Sequence, residues 1–180
     1  VPVEALPRTG NLFDLDDDGD LDAVVVSNAV AQVTLLVNDD SANFVSSDKV
    51  ALGSHASSVL VFDATGDGVR DLLTGVIDGK ASVYPADADG TFPESDVWYG
   101  EADLRAFDVA DVDGDELPDV VYIDVSPQGF GTVLGQPGGL EFTPVFSPGY
   151  SQGKELALGD LDGDDRGDVV VSVDLPPRLL

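Results

Sequence analysis

The sequence predicts an all-β protein with the blades of a β-propeller, and three observations carry this prediction. A nine-residue pattern with Asp at most of its first, third, fifth and ninth positions occurs four times, with starts 49, 48 and 49 residues apart. Four short strand-like runs recur within this interval, and no segment has the 3.6-residue periodicity of an amphipathic helix. Repeats of this length with four strands each are typical of propeller blades. A β-solenoid is the structural alternative, but its turns are usually shorter.

The predicted strands keep a constant order around each loop. The first run follows the loop directly and is apolar on both faces, which predicts a strand buried between neighbouring sheets: AVVV after Asp22, LLTG after Asp71, VVYI after Asp119 and VVVSV after Asp168. The second run covers residues 33–38, 81–86 and 131–136. The third follows a recurring Phe44, Phe92 or Phe142, over about 45–52, 93–99 and 143–147. The fourth leads into the next loop, over 58–63, 104–111 and 154–160.

These runs predict a single repeat domain over residues 1–180. Three repeats are complete, at roughly 10–53, 54–100 and 101–150, whereas the fourth, at 151–180, is incomplete. Residues 1–9 are a candidate for an additional strand that closes the ring, and a partial ring or half of a dimeric ring is the alternative. The chain starts at Val1 and has no Met, so we expect a processed product or a piece of a longer protein.

The composition indicates metal binding rather than contact with nucleic acid. Of the 35 acidic residues 29 are Asp and only 6 are Glu, and the net charge is −27. Short Asp side chains fit tight loops, where Glu would reach too far. Eight scattered Lys and Arg residues cannot form a phosphate-binding surface or adsorb to an anionic membrane. The absence of Cys excludes disulfides and cysteine-based zinc sites.

Dense oxygen ligands on a tight loop suit a hard cation, and Ca²⁺ above all. Mg²⁺ is a poorer candidate because it dehydrates reluctantly and demands octahedral geometry. The alternative is a set of Asp-rich turns that are capped by their own side chains and hold no metal. Four copies in register favour the metal, because carboxylates brought this close repel one another without a cation.

The loops also resemble a known family. The loop DVDGDELPD from Asp111, the apolar strand after it and turns such as ADADGTF, which ends at Phe92, are similar to FG-GAP/VCBS repeats. That family builds the propeller of integrin α chains and of many secreted bacterial proteins. The resemblance covers essentially the whole chain and implies a bladed propeller with one Ca²⁺ per loop, hence up to four. It implies no particular ligand, because the fold is a scaffold for many functions.

In loops of this family, positions one, three and five supply side-chain oxygens, position seven a backbone carbonyl and position nine a closing carboxylate. The ligands implied for this chain follow, loop by loop: Asp14, Asp16, Asp18, Asp20 and Asp22; Asp63, Thr65, Asp67, Val69 and Asp71; Asp111, Asp113, Asp115, Leu117 and Asp119; Asp160, Asp162, Asp164, Arg166 and Asp168. An EF-hand is excluded, because no Glu stands at position twelve of any loop.

The four loops are not equivalent. Thr65 replaces a carboxylate at position three of the second loop, which predicts weaker binding there. Position six needs a sharp turn and is Gly19 or Gly68 in the first two loops, but Glu116 and Asp165 in the others. Asp tolerates a positive φ better than Glu does, so we expect more strain in the third loop.

Four other features could be functional, but we interpret each of them as structural or solvent-exposed. Arg166-Gly167-Asp168 spells an integrin-binding tripeptide, but Asp168 is expected to face the metal. The only histidine, His55, is interpreted as a solvated loop residue rather than part of a catalytic relay. The paired carboxylates could serve hydrolysis, but metal ligation already accounts for them. An aromatic group could form a sugar platform, although packing between blades is the default interpretation: Phe92, Trp98, Tyr99 and Phe146.

The sequence as a whole predicts a non-catalytic, calcium-stabilised propeller module that presents loops for adhesion or for recognition of protein or glycan. Extracellular Ca²⁺ at millimolar concentration fills sites of moderate affinity, so we expect a secreted or cell-surface protein. The alternative is an accessory region of a larger secreted hydrolase, and a purely structural repeat is a third reading. The sequence is also compatible with a homo-oligomer.

Overall fold

The computed structural model describes residues 6–16, 18–27, 29–39, 43–53, 55–76, 81–93, 97–98, 104–125, 128–141, 145–148 and 153–173. Within these residues the regular structure is entirely β-strand. None of them forms a helix long and apolar enough to cross a membrane.

Sixteen strands are described in chain order. They are β1 (Pro7–Phe13), β2 (Asp22–Ser27), β3 (Gln32–Asn38), β4 (Phe44–Ala51), β5 (Ala56–Phe62), β6 (Asp71–Val76), β7 (Ala81–Tyr84), β8 (Val97–Trp98), β9 (Leu104–Ala110), β10 (Asp119–Val125), β11 (Gln128–Val133), β12 (Gly135–Gln136), β13 (Gly139–Leu140), β14 (Val145–Pro148), β15 (Gly153–Gly159) and β16 (Asp168–Val173).

Each repeat forms its own antiparallel sheet. The first three sheets have four strands, in the orders β1-β2-β3-β4, β5-β6-β7-β8 and β9-β10-β11-β14. The fourth consists of β15 and β16, and a small hairpin of β12 and β13 stands apart. In every sheet the Asp-rich loop joins the first strand to the second, as the sequence predicts.

Strand β6, which follows the second loop, packs on both faces because its side chains alternate between two neighbouring sheets. Leu72 of β6 belongs to a cluster shared with the first sheet, and Leu73 to a cluster shared with the third. The first cluster contains Val24, Val26, Val33, Leu35, Val50, Leu52, Ala56, Val59, Leu72, Tyr84, Ala86 and Phe92. The second contains Phe62, Ala64, Leu73, Ala81, Val83, Phe107, Val120, Tyr122 and Val133. The core thus lies between successive sheets. The prediction of a buried strand after the fourth loop is wrong within the described residues, because Val169 and Val170 of β16 are 39% and 50% exposed.

The predicted organisation is confirmed in part. Four strands per repeat are present in the first three repeats, and two are described in the fourth. Residues 7–9, part of the candidate ring-closing segment 1–9, pair with β2 in the first sheet, and residues 1–5 lie outside the described residues. The predicted run 131–136 is wrong as one strand: β11 ends at Val133, and β12 pairs separately with β13. Ring closure and the number of blades stay predictions.

Candidate metal centre

The first Asp of each loop orders the turn by accepting backbone hydrogen bonds. Asp63 Oδ1 accepts from the N–H of Gly66 at 2.6 Å and of Asp67 at 3.1 Å, and its Oδ2 accepts from Gly68 at 2.8 Å. Asp111 and Asp160 make the same three contacts at the corresponding positions. The nine-residue loop is therefore preformed by its own carboxylate.

The Asp at position five also orders the loop by accepting a backbone hydrogen bond. The Asp there accepts a hydrogen bond from the N–H of position seven in every loop: Asp18 from Asp20 at 2.9 Å, Asp67 from Val69 at 2.8 Å, Asp115 from Leu117 at 2.9 Å and Asp164 from Arg166 at 3.1 Å. The bond fixes the peptide at position seven, whose carbonyl is an implied ligand. Its coordination role stays a prediction.

Position six takes a left-handed backbone in all four loops, as the sequence predicts. The φ values are +96° at Gly19, +88° at Gly68, +67° at Glu116 and +64° at Asp165. Glu116 and Asp165 carry a Cβ in a region that L-residues rarely occupy. That the third loop is more strained than the fourth stays a prediction. A second glycine was missed: position four is left-handed at Gly66, Gly114 and Gly163. Its recurrence in three of the four loops was the available signal.

The Asp at position nine connects its loop to the sheet, while its predicted role as a ligand stays a prediction. Asp119 is fully buried, and it joins two distant backbone segments: Oδ2 accepts from Val112 N–H at 2.8 Å and Oδ1 from Gly135 N–H at 2.7 Å. Asp22 and Asp71, also fully buried, bridge their loops to Asn38 and Ala86 in the same way. The carboxylate thus clasps the loop to the last residue of the third strand in the first sheet, and to the second residue after that strand in the other two sheets.

The electrostatics of the loops follow from these contacts. Backbone N–H donors, that of Glu116 first, lower the pKa of Asp111, and the donor at Gly163 is the main cause of the lowered pKa of Asp160. At position three the pKa of Asp16 is raised, first by desolvation and then by repulsion from neighbouring carboxylates. The same causes raise the pKa of Asp113. The backbone donors therefore favour charged carboxylates at Asp111 and Asp160, whereas neighbouring carboxylates repel the charge of Asp16 and Asp113.

Three loops bring carboxylates close enough to share a cation. In each of these groups, one oxygen per residue lies within 4.8 Å of the others: Asp14, Asp16 and Asp18; Asp111, Asp113 and Asp115; Asp160, Asp162 and Asp168. In the first loop Asp14 Oδ1 is buried and has no hydrogen-bond partner among the described residues, which do not include Asp17. A buried carboxylate oxygen without a donor is costly unless a cation or water contacts it. These three loops fit a hard cation with oxygen ligands.

The second loop, whose residues 63–71 are all described, does not form such a group, and other parts of the protein support it. The hairpin of β12 and β13 lies against it: Leu140 N–H donates to Ala64 O at 2.9 Å. A Cβ on Gly66 would lie 2.5 Å from the backbone nitrogen of Gly139, so the two backbones touch. Thr65, at position three, removes the carboxylate that all three groups in the other loops include. The second loop is therefore supported by contacts with the β12–β13 hairpin, whereas the other three loops have clustered carboxylates.

Contacts between loops link successive repeats. Gly167 N–H donates to Asp111 O at 2.7 Å, and the Arg70 guanidinium donates to Asp14 O. In both cases position eight of one loop contacts position one of the loop before it. The first loop is therefore tied to the second and the third to the fourth, so the geometry within each pair is linked.

The other candidates fall as follows. Arg166 is exposed, with its Nε 3.9 Å from Asp164 Oδ2, whereas Asp168 is half-buried and accepts from Leu161 N–H at 3.0 Å. Phe92 is buried in the first core cluster, as packing predicts, and His55 is exposed. The strand positions of Trp98 and Phe146 are described but not their side chains, and Tyr99 lies outside the described residues.

The FG-GAP-like repeat model matches three overlapping stretches of the chain, residues 14–74, 63–122 and 111–171. Each stretch begins at the first Asp of one loop and ends in the strand after the next. The protein therefore belongs to the family of FG-GAP-like repeat proteins, which confirms the resemblance expected from the loops. A comparison with curated proteins finds no match.

Two solved structures have a similar fold. Both are crystal structures of BBS1N in complex with ARL6DN, one soaked with mercury and one with lead. Each has a TM-score of 0.61, and the identities are 12% and 13%. The alignment covers 94% of this chain and 48% of BBS1N, so the chain spans about half the length of that relative. At this identity the similarity shows the fold alone: all-β and propeller-like.

Proposed function

We propose that the protein is a calcium-binding, non-catalytic propeller module that presents its loops to a partner outside the cell. The observation that supports it best is the in-register grouping of carboxylates in the first, third and fourth loops. The buried Asp14 Oδ1, which has no hydrogen-bond partner among the described residues, adds to it. Oxygen-only ligand sets on tight loops suit Ca²⁺ better than Mg²⁺ or a transition metal.

Bound Ca²⁺ would supply positive charge to carboxylates that otherwise repel one another. The chain's own residues provide the rest. Position one and position five hold the loop backbone in place, and the buried Asp at position nine ties it to the sheet. Because these hydrogen bonds order the loop without the metal, little chain entropy is lost when a cation binds.

We further propose three calcium sites rather than the four that the resemblance implies. Thr65 deprives the second loop of its third carboxylate, and the β12–β13 hairpin contacts this loop directly. This loop then keeps its shape through protein contacts alone. The deviation agrees with the weaker second site expected from the sequence and goes one step further.

A protein partner is the preferred ligand class. BBS1N, which has a similar fold, was crystallised in complex with another protein, ARL6DN. A glycan ligand is the second candidate, and an accessory role beside the active site of a secreted hydrolase is the third. Extracellular placement follows from the Ca²⁺ concentration that moderate sites require.

Native mass spectrometry with and without Ca²⁺ tests the metal proposal, and Asp115→Ala is the informative variant. We expect three bound ions in the wild type and two in Asp115→Ala. The matched control is Asp67→Ala, the same position in the second loop, which should retain three. A wild-type protein that binds no Ca²⁺ at millimolar concentration would refute the proposed function.

Recognition is tested separately, with protein and glycan arrays probed in Ca²⁺ and in chelator. We expect binding to a protein target that weakens in chelator, because the metal fixes the presenting loops. A signal confined to glycans would favour the second candidate. Binding to neither class would contradict the recognition role while leaving the metal sites intact.

A further inference from the structure

The third and fourth loops meet at one peptide group, which joins Arg166 to Gly167. The N–H of this peptide, on Gly167, donates a 2.7 Å hydrogen bond to the backbone carbonyl of Asp111, at position one of the third loop. The carbonyl of the same peptide, on Arg166, is the implied position-seven ligand of the fourth loop. A peptide group is planar, so its N–H and its carbonyl turn together. One rigid unit therefore carries a contact to the third loop and an implied ligand of the fourth.

Asp111 is also the residue that orders the third loop. Its side chain accepts backbone hydrogen bonds from Gly114 at 2.7 Å, Asp115 at 3.2 Å and Glu116 at 2.8 Å. Its carboxylate is clustered with those of Asp113 and Asp115. The fourth loop thus holds the main chain of the residue whose side chain shapes the third loop.

Glycine is required at position 167 because the two loops approach each other closely. A Cβ on Gly167 would lie 2.7 Å from the Cβ of Ala110 and 3.3 Å from Cγ1 of Val112. Gly167 is not among the residues with a left-handed backbone, so space and not conformation excludes a side chain here. Any larger residue would have to push the fourth loop away from the third, and the hydrogen bond to Asp111 would lengthen.

The other two junctions between successive loops are built differently. Position eight of the third loop is Pro118, which has no N–H to donate to the second loop. Position eight of the second loop is Arg70, and its guanidinium, rather than its backbone, donates to Asp14 O of the first loop. A contact through a long side chain does not fix the orientation of a peptide, whereas the contact of Gly167 does.

We infer that Gly167 is a positioning residue shared by the third and fourth calcium sites, so that Ca²⁺ bound at either site raises the affinity of the other. This coupling rests on the proposed function, because it needs both loops to bind Ca²⁺. When the Arg166 carbonyl coordinates a cation, the peptide is polarised and its N–H becomes a stronger donor to Asp111. The peptide is then also fixed, so the third loop has less freedom to lose when it binds its own ion.

The sign of the coupling separates this contact from long-range electrostatics. Positive charge added at one loop weakens the attraction of its neighbour for a second cation, so electrostatics alone lowers the second affinity. In ~1 M salt the screening length falls to ~3 Å, which suppresses that effect. The Gly167 hydrogen bond acts at contact distance and raises the second affinity. Positive coupling that persists in ~1 M salt supports the role of Gly167, and negative coupling overturns it.

Calcium titration of variants that each lack one site measures the coupling. Asp162→Ala removes a clustered carboxylate of the fourth loop, and Asp113→Ala removes one of the third. The amide NMR signals of Gly114 and Gly163, at position four of these loops, report the two sites separately. We expect each variant to lower the Ca²⁺ affinity of the other loop by about five-fold or more, and by equal factors, because coupling is reciprocal. Asp16→Ala empties the first loop instead and should leave both affinities unchanged.

Gly167→Ala tests the contact itself. Both loops keep their carboxylates, so this variant should keep its calcium stoichiometry while the coupling factor falls towards one. Gly159→Ala is the matched control: it makes the same change directly before the fourth loop, where a Cβ would meet no atom within 4 Å, and should keep the coupling. Combining Gly167→Ala with Ala110→Gly removes the nearest obstructing atom and should restore the coupling.

Amide hydrogen exchange gives a readout that does not depend on affinity. In Asp162→Ala, Ca²⁺ at the third loop should still raise the protection of the Gly167 N–H relative to chelator. This measurement and the two single-site titrations decide the outcome if Gly167→Ala does not fold. Independent sites in the wild type, or coupling that survives in a folded Gly167→Ala variant, overturn the inference and leave the proposed function intact. A protein that binds no Ca²⁺ refutes the proposed function, and this coupling with it.

Discussion

Asp119 and Gly135 are 16 residues apart in sequence and are joined by a 2.7 Å hydrogen bond from the Gly135 N–H to Asp119 Oδ1. The other oxygen of Asp119 accepts from Val112 at the start of the loop. The carboxylate is fully buried, and these backbone donors offset the cost of removing it from water. The metal loop is consequently fixed to its sheet by a contact that needs no metal.

Asp119→Asn tests this clasp. The amide keeps one acceptor but points a second donor at a backbone N–H, so a buried hydrogen bond is lost. We expect a loss of about 2 kcal/mol in the free energy of unfolding, measured by urea titration in chelator. Asp168→Asn is the control: Asp168 is only half-buried and makes one such described bond, so it should lose clearly less. Equal losses would contradict the clasp.

Calcium should raise the melting temperature strongly, and Mg²⁺ at the same concentration much less. A ligand present at ~100 times its Kd stabilises the folded state by roughly 2.7 kcal/mol per site. Differential scanning calorimetry after exhaustive chelation, with each cation then added back, measures the effect. An unchanged melting temperature would show that the stability of the protein does not depend on a cation bound at the clustered carboxylates.

Position three should distinguish the first loop from the second. Asp16→Ala removes one of the three clustered carboxylates of the first loop. Thr65→Ala changes the second loop, which has no such cluster among its described residues. At saturating Ca²⁺ the melting temperature should therefore fall more for Asp16→Ala. Calorimetric titration with four equivalent sites, or equal losses in both variants, would contradict this ranking.

Much of the local geometry could be predicted because it is encoded within nine residues. Position six is left-handed whether it is glycine, Glu116 or Asp165, since the spacing of the Asp residues demands the turn. The clasp at position nine could not be predicted, because its distant partners are backbone N–H groups 15 or 16 residues away. Every residue except proline has a backbone N–H, so the residue type does not show which one donates.

The support of the second loop was also hidden from the sequence. It depends on a contact between repeats, from Leu140 to Ala64, and the repeat pattern describes each unit separately. The Gly138-Gly139 pair was the available signal, because adjacent glycines mark a place where the backbone turns or another segment approaches closely. It gave no indication of which segment that would be.

Strain at Glu116 predicts a stabilising substitution. Its φ is +67°, and a left-handed backbone costs an L-residue roughly 1–2 kcal/mol. Glycine removes that cost but is more flexible when unfolded, which offsets part of the gain. We expect Glu116→Gly to raise the free energy of unfolding by up to about 1 kcal/mol. Glu116→Ala keeps the Cβ and should not; if both variants behave alike, charge and not backbone strain is the cause.

The tripeptide Arg166-Gly167-Asp168 gives the last prediction. The carboxylate of Asp168 is clustered with those of Asp160 and Asp162. Asp168→Ala should therefore lose one bound Ca²⁺ and destabilise the fourth repeat. The Arg166 side chain is exposed, its Nε lies 3.9 Å from Asp164 Oδ2, and the implied ligand at position seven is the backbone carbonyl. Arg166→Ala should therefore leave both calcium stoichiometry and cell attachment unchanged. Native mass spectrometry and an adhesion assay on integrin-bearing cells measure the two effects. If Arg166→Ala abolished attachment with fold and calcium count intact, the loop would be a recognition site, because only an exposed guanidinium would have been removed.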